Sequence, residues 1–523
     1  MAKVQEHLAA LQTTIELILK VSGSAGAPVG VIHNGQSHDS HYGFMDHGLT
    51  RKPDADNLYN IGSLSKTMMA LTFADLVEKK VVSWNDTIHS IIPEFDNKDK
   101  SLTENCSILD LLSMRSGLPT PNILWYQGNS SPLVSKSSLI SMVNGMTSSF
   151  PLRTDWRYSN WGYAIAGEIV KRKTGIDYPE QMSKSLFQPL GMTRITLAPE
   201  WREDANAAQG FSGLPDASLI PIRSQECDSS TLIEAAGGVC SSTKELLLYY
   251  GGLVAAMKQE IDGAPASSPV FKGLKTLYQG HITVGQKIET TTQYALGWVK
   301  GMLPGRVGVL SPNAGLLKEA FVLGKDTKPQ VFFTHTGSLA GFMTTAILLP
   351  EKQSAIVVLV NSKASCDSSD FIASAILDKL IGGTGNHDFV ELARSAMEKA
   401  SQRYAEQSAV LESARVPGTS PKPLQEYEGR YYWSSRSYFV DIFVKDETLT
   451  VRFVDRSDQE YTMKHYHYDT FTWLMTDEEK GKRGRYIQAT GAYIFIFETD
   501  EIERITGFKW AELGGGPGYF KKE

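Results

Sequence analysis

The chain has 523 residues, too many for one ordinary core, and a prior of roughly 150 residues per domain gives two or three domains. Its composition, 41% hydrophobic, 21% charged and 10% aromatic, is that of a globular protein. A formal net charge of −6 leaves no basic footprint for nucleic acid, and no window approaches the roughly 18 apolar residues of a membrane span.

The opening MAKVQEHLAALQTTIELILKVSG is interrupted by Glu6, Gln12, Glu16 and Lys20, so it does not read as an export signal, and a cytoplasmic address is expected. It reads as an amphipathic helix with Leu8, Leu11, Ile15, Leu17 and Ile18 on one broad face. VGVIHNGQ is a strand entering an Asn34-Gly35 hairpin turn, with a second strand around His41 to Phe44. NLYNIGSLSKTMMALTFADLVEKK predicts an amphipathic helix after Ser63, with Lys66 in its first turn. A mainly helical stretch follows, with helices at SILDLLSMRS, NWGYAIAGEIVKRKTG and STKELLLYYGGLVAAMK, the second carrying Gly175 where a C-cap belongs. QVFFTHTGSLAGFMTTAILLPEKQSAIVVLVNS changes period and predicts a three-stranded antiparallel meander. Strands, then helices, then strands again indicate an α+β plan, in which the first and last strands share one antiparallel sheet flanked by helices. After a long helix, HDFVELARSAMEKASQRYAEQSA, the stretch at 413–425 is rich in Pro, Ser and Gly and reads as a linker. The remaining 100 or so residues are β-rich, with a hairpin around Lys445 to Thr448, and suggest a small all-β barrel or sandwich. The expected division is 1–412, a linker at 413–425, and a lipocalin-like β-barrel at 426–523.

Three stretches carry chemistry. In SLSK, Ser63 and Lys66 are i and i+3 on a helix face, so the side chains can meet. A serine hydroxyl is a poor nucleophile until its proton is taken. A lysine at a helix N-terminus, partly desolvated, has its ammonium form disfavoured and becomes a usable base. The Ser63 N–H lies among the free donors of the helix start, suited to a developing oxyanion. A bare S-x-x-K is a weak signal, and Ser241 to Lys244 is a decoy, where Ser242 and Glu245 read as a capping box. In WRYSNWGYAIAG, Tyr158 and Asn160 are two apart before a helix; alone, this reads as a helix cap with a packed tyrosine. In FFTHTGSLAGF, His335, Thr336 and Gly337 end a strand, with Gly337 permitting close approach of a substrate backbone and the Ser338 N–H available as a second oxyanion donor.

S-x-x-K, Y-x-N and H-T-G in this order resemble the serine β-lactamase and penicillin-binding-protein superfamily, most closely class C-type enzymes and their esterase, D-aminopeptidase and acyltransferase relatives. LLSMRSGLP, QPLGMTRIT, AAGGVCSSTKELLLYY and YALGW look like that family's connecting segments, over roughly residues 20 to 385. The tail looks like the β-barrel appended to some of these hydrolases. The resemblance implies Ser63 as acylated nucleophile, Lys66 and Tyr158 as coupled base and acid, and Asn160 as the group orienting Lys66 and substrate. It also implies an oxyanion hole from the Ser63 and Ser338 N–H groups. His335 stands where many relatives carry lysine, and a neutral imidazole holds a carboxylate less well than an ammonium, which argues against strong β-lactamase or transpeptidase activity. The expected function is a serine hydrolase acting on a small ester, amide or short peptide through an acyl-Ser63 intermediate. The alternatives are an acyltransferase using an alcohol or amine acceptor, and a non-catalytic ligand-binding protein.

His33, His38, His41 and His47 crowd the early hairpin but read as scattered polar residues rather than a metal site. GGGPG near the C-terminus lacks the Lys-Ser/Thr of a phosphate loop and reads as a flexible tail. Cys106, Cys227, Cys240 and Cys366 stand far apart and read as reduced, buried thiols. No cofactor is expected, no nucleic-acid or membrane partner is expected, and a homo-oligomer is compatible with the reading.

Overall fold

The computed structural model describes residues 2–265, 268–285, 292–513 and 516–523. The opening helix α1 (Ala2–Ser22) buries Leu8, Ile15 and Ile18, but Leu17 is 41% exposed. At about 100° per residue, Leu17 lies roughly 200° round from Ile15, so it faces the side opposite the stripe. Strands β1 (Gly26–His33) and β2 (Gln36–Gly43) meet at Asn34 and Gly35, whose φ angles of 51° and 76° are those of a type I′ hairpin turn. The second strand therefore begins directly after the turn, earlier than the hydrophobic pattern indicated.

The meander forms as expected, and with three shorter strands it completes one sheet. The added strands are β3 (Ile282–Thr283), β4 (Gln293–Tyr294) and β5 (Val299–Leu303); the meander strands are β6 (Gln330–Leu339), β7 (Phe342–Leu349) and β8 (Ser354–Val360). The order across the eight-stranded antiparallel sheet is β2-β1-β8-β7-β6-β5-β4-β3. The chain's beginning thus pairs with its later strands, Val29 opposite Val358. Residues of β8 are buried on both faces. Ile356, Val358 and Val360 join the cluster of α1 with two later helices, α5 (Ser368–Ile381) and α6 (Phe389–Ala414); Val357 and Leu359 join the larger cluster on the other side. Period-two alternation with both faces covered explains why the run SAIVVLV carries no polar face.

On the second face lie α4 (Thr243–Ile261) and the mainly helical region, which includes α2 (Ser65–Glu78) and α3 (Asn160–Thr174). Helix α2 is not amphipathic in place. Residues Ser65 to Ala74 and Leu76 are all buried, because short helices pack on it from several sides. Gly175 ends α3 in the left-handed conformation, φ 75°. The Ser242 hydroxyl accepts from Glu245 N at the start of α4, but the Glu245 carboxylate turns away to accept from the N–H groups of Thr193 and Arg194, so the expected capping box is only half formed.

Helix α6 runs two residues into the expected linker, and the connection is pinned: Arg415 donates to the carbonyls of His465 and Tyr466. Beyond it, eight antiparallel strands between Gly429 and Lys522 close into a barrel, the last strand, Gly518–Lys522, pairing with the first, Gly429–Tyr432. Of GGGPG, Gly514 and Gly515 lie outside the described residues, and Gly518 opens that closing strand rather than a tail. Rings fill the barrel, with Phe508 stacked between Phe495 and Phe520 at 4.4 and 4.7 Å. All four cysteines are buried and free, and no described helix is long and apolar enough to cross a membrane.

Candidate active site

The site begins with a strained turn. Gly62 has φ 53°, and a Cβ there would fall 2.9 Å from Ser338 N, so only glycine lets the turn lie against the end of β6. Asn60 Oδ1 accepts from Gly62 N at 2.8 Å and Ser65 Oγ donates to Gly62 O at 2.6 Å, which fixes Ser63 in a single 3-10 turn just ahead of α2. Ser63 is partly exposed at the edge of a cleft of about 430 Å³.

Lys66, one turn on, is fully buried. Its Nζ lies 2.9 Å from Ser63 Oγ, 2.8 Å from Asn160 Oδ1 and 2.5 Å from the Ala236 carbonyl. An ammonium donates to all three. A neutral amine donates to Asn160 and Ala236 and turns its lone pair to the serine hydroxyl, so both protonation states are satisfied without rearrangement. Burial drives the pKa down from its ordinary value to about 7, slightly offset by the Cys227 sulfur. The Tyr158 and Tyr163 rings, 5.0 and 5.2 Å from Nζ, add cation–π contact but no counter-charge.

Tyr158 OH donates to Ser63 Oγ at 2.6 Å from the other side. Burial pushes its pKa up, the hydrogen bond with Ser63 opposing, so the phenol is protonated at neutral pH. His335 is buried, with Nδ1 2.7 Å from the Thr336 carbonyl and Nε2 3.2 Å from Tyr294 OH. Because a carbonyl can only accept, the proton sits on Nδ1 and Nε2 accepts from the tyrosine. Burial and then the nearby Lys66 charge lower the His335 pKa to about 3, so the imidazole is neutral.

The sequence-predicted residues Ser63, Lys66, Tyr158 and Asn160 thus form one hydrogen-bonded group, and His335 and Ser338 line the same cleft. Gly337 differs from expectation. A Cβ there would meet Ile61 O at 2.2 Å and Thr344 Oγ1 at 2.3 Å, so it faces the serine-bearing turn and not the cleft. Sequence reasoning missed Ala236 as the third partner of Lys66, and Lys363 and Tyr486 as cleft residues. It also missed Trp156, whose ring stands 5.8 Å from Tyr294 and 6.4 Å from Tyr158. No local pattern marks these positions; Tyr486 arrives from the barrel, on the segment between the strands Thr470–Thr472 and Ile494–Thr499.

The early histidines are dispersed: His47 Nε2 is 2.9 Å from the Gly210 carbonyl and His41 lies near Asp39. No group of metal-ligating side chains converges among the described residues.

The family model described as Beta-lactamase matches residues 11–380, and that of a domain of unknown function, DUF3471, matches residues 413–517. The chain is 24% identical to the unguisins hydrolase ungD' of Aspergillus campestris, over 79% of this chain and 74% of that protein. It is 22% identical to penicillin-binding protein 4* of Bacillus subtilis, over 78% and 83% of the two chains. A beta-lactamase of Pseudomonas fluorescens is 23% identical, over 67% and 92%. Among solved structures, an octameric penicillin-binding protein homologue from Pyrococcus abyssi has the same fold, with a TM-score of 0.58 over 94% of this chain and 98% of that one at 20% identity.

Proposed function

The chain belongs to the beta-lactamase family, and from that premise we propose that it is a serine hydrolase that cleaves a small ester, amide or short peptide through an acyl-Ser63 intermediate. The observation that carries this reading is the placement of one hydroxyl, Ser63 Oγ, between an amine 2.9 Å away and a phenol 2.6 Å away, at the edge of an accessible cleft.

In the proposed first step, neutral Lys66 takes the Ser63 proton as Oγ attacks the carbonyl carbon. The carbonyl oxygen gains the electron pair and is held by the N–H groups of Ser63 and Ser338. Tyr158, protonated at rest, passes a proton to the departing oxygen or nitrogen and recovers one from Lys66. Water then repeats the sequence on the acyl-enzyme. Asn160 fixes the Lys66 amine and presents its amide to the substrate. Neutral His335 does not supply the cation that a lysine would supply at that position, which supports esters and amides over substrates gripped there by a carboxylate.

The test is acylation by a fluorophosphonate followed by intact-mass spectrometry and peptide mapping. One adduct, on Ser63, is expected; an adduct elsewhere, or none with several acylating probes, removes the reading.

The proposal extends to organisation. Residues 1–412 act as the hydrolase part and 426–523 as a barrel part, joined at 413–425. Self-association is included, as in the octameric Pyrococcus abyssi homologue; a light-scattering mass equal to the 57.6 kDa protomer would contradict it.

A further inference from the structure

We propose that Lys363, Ser338 and the barrel's Tyr486 form a subsite that binds a carboxylate on the substrate, so that the barrel completes the recognition surface of the hydrolase. This rests on the reading of Ser63 as the acylated nucleophile.

Two lysines approach the cleft, and they are supplied differently. Lys66 has an acceptor for each proton. Lys363, on the two-residue strand Ser362–Lys363 just after β8, has one: its Nζ donates to Ser338 Oγ at 2.5 Å. Among the described residues no carboxylate lies within ion-pair distance of it. Asp367 acts on it only through space, and that carboxylate is already engaged by Ser369 Oγ, Ser311 Oγ and the Asp370 N–H. Burial presses the Lys363 pKa down to about 8, Asp367 opposing. Lys363 is half-buried at the cleft, so its ammonium faces the space a substrate would enter and can take a counter-charge from it.

Among the described residues the cleft lining offers no competing anion. It contains, among those residues, no aspartate, glutamate or arginine, and Lys363 is the charged side chain there. The lining also includes His335, Tyr158 and Trp156, uncharged rings packed together with the buried Tyr294. The anion subsite adjoins the H-T-G triplet through Ser338 but draws its cation from Lys363 on another strand.

Tyr486 holds the lysine in place. The Lys363 Nζ is 4.8 Å from its ring centroid. The ring is locked by Tyr126 at 4.9 Å and Trp125 at 6.2 Å, and its hydroxyl donates to Gln225 Oε1. Its own loop is tied down where Tyr126 OH donates to the Gly484 carbonyl at 3.0 Å and Arg485 Nη1 donates to the Gln127 carbonyl at 2.8 Å. Such a wall is preorganised by contacts that cross between barrel and helical region. One ammonium and one hydroxyl match a monoanion; a phosphate dianion calls for a guanidinium fork or a set of backbone N–H groups, which this wall lacks.

The experiment uses the full chain and two matched pairs of chromogenic esters. In one pair the acyl part ends in a carboxylate or in the corresponding carboxamide; in the other pair the alcohol part carries that difference. The wild-type protein is expected to favour the carboxylate member of one pair by at least about tenfold in kcat/KM, mainly through KM, with the preference shrinking as salt rises. Lys363→Met is expected to bring the ratio to near one, Lys363→Arg to keep most of it, and Tyr486→Leu to reduce it. Equal turnover within both pairs by wild type, or an unchanged ratio in Lys363→Met, overturns the subsite. An unchanged ratio in Tyr486→Leu overturns the barrel's part in it. Should the Lys363 variant not fold, competitive inhibition of wild type by adipate but not by adipamide supports the proposal, and equal inhibition overturns it. Turnover of all four esters by Ser63→Ala would instead defeat the nucleophile reading, a separate outcome.

Discussion

The chemistry at the residue scale turns on how one amine is buried. Lys66 is useful because its ammonium is disfavoured, and that makes a signed prediction. With a pKa near 7, the base form is scarce below that pH and complete above it. The kcat/KM for a neutral ester should therefore fall about tenfold per pH unit below 7 and level off above it. His335, already neutral, and Tyr158, shifted upward, add no limb near neutrality. A flat profile between pH 5 and 8 would contradict the assignment. Removing the amine, Lys66→Met, should cost roughly 10²–10⁴-fold in kcat/KM with little change in KM, read by steady-state kinetics. Replacing His335 by lysine would place a second cation beside Lys66, so the acid limb should move to lower pH; an unmoved limb would mean that the two groups do not interact.

At the scale of elements, the site depends on β6 lying hard against the turn before α2. Gly337→Ala would drive a methyl into the Ile61 carbonyl and the Thr344 hydroxyl. A loss of roughly 1–3 kcal/mol in unfolding free energy is expected, with lower activity because the Ser63 turn must shift. Calorimetry with parallel kinetics checks both; an unchanged Tm would show that the turn has room. Much at this scale was legible. The hairpin at Asn34-Gly35, the three meander strands, and helices α3 and α4 follow from local turn chemistry and hydrophobic period. Ser63 with Lys66 was legible because i and i+3 share a helix face whatever the fold. Helix α2 misled because burial on all sides erases the polar face that periodicity looks for. The half-formed capping box misled because tertiary contacts from Thr193 and Arg194 outcompete a local bond for Glu245. Tyr158 and Asn160 were marked by family resemblance, since two residues of spacing cannot tell a cap from a proton relay.

For the whole molecule, the lesson is in what crosses from the barrel to the helical region. Lys363 and Tyr486 are more than 100 positions apart and sit in unremarkable local sequence, so only the closed tertiary structure brings them together. Arg485 is one such tie: it is buried, its guanidinium lies 4.7 Å from the barrel's own Trp473 ring, and its Nη1 donates across to the Gln127 carbonyl. Arg485→Ala should lower Tm by several degrees and also slow ester turnover, because the Tyr486 wall loses its support. A drop in Tm with unchanged kinetics would confine the barrel to stability. Acylation of Ser63 with Lys66 as base is tested most directly by intact-mass spectrometry after fluorophosphonate treatment of three proteins. Wild type should gain one adduct mapped to Ser63, Lys66→Met should gain it far more slowly, and Ser63→Ala should gain none. Equal labelling of all three proteins would contradict the account.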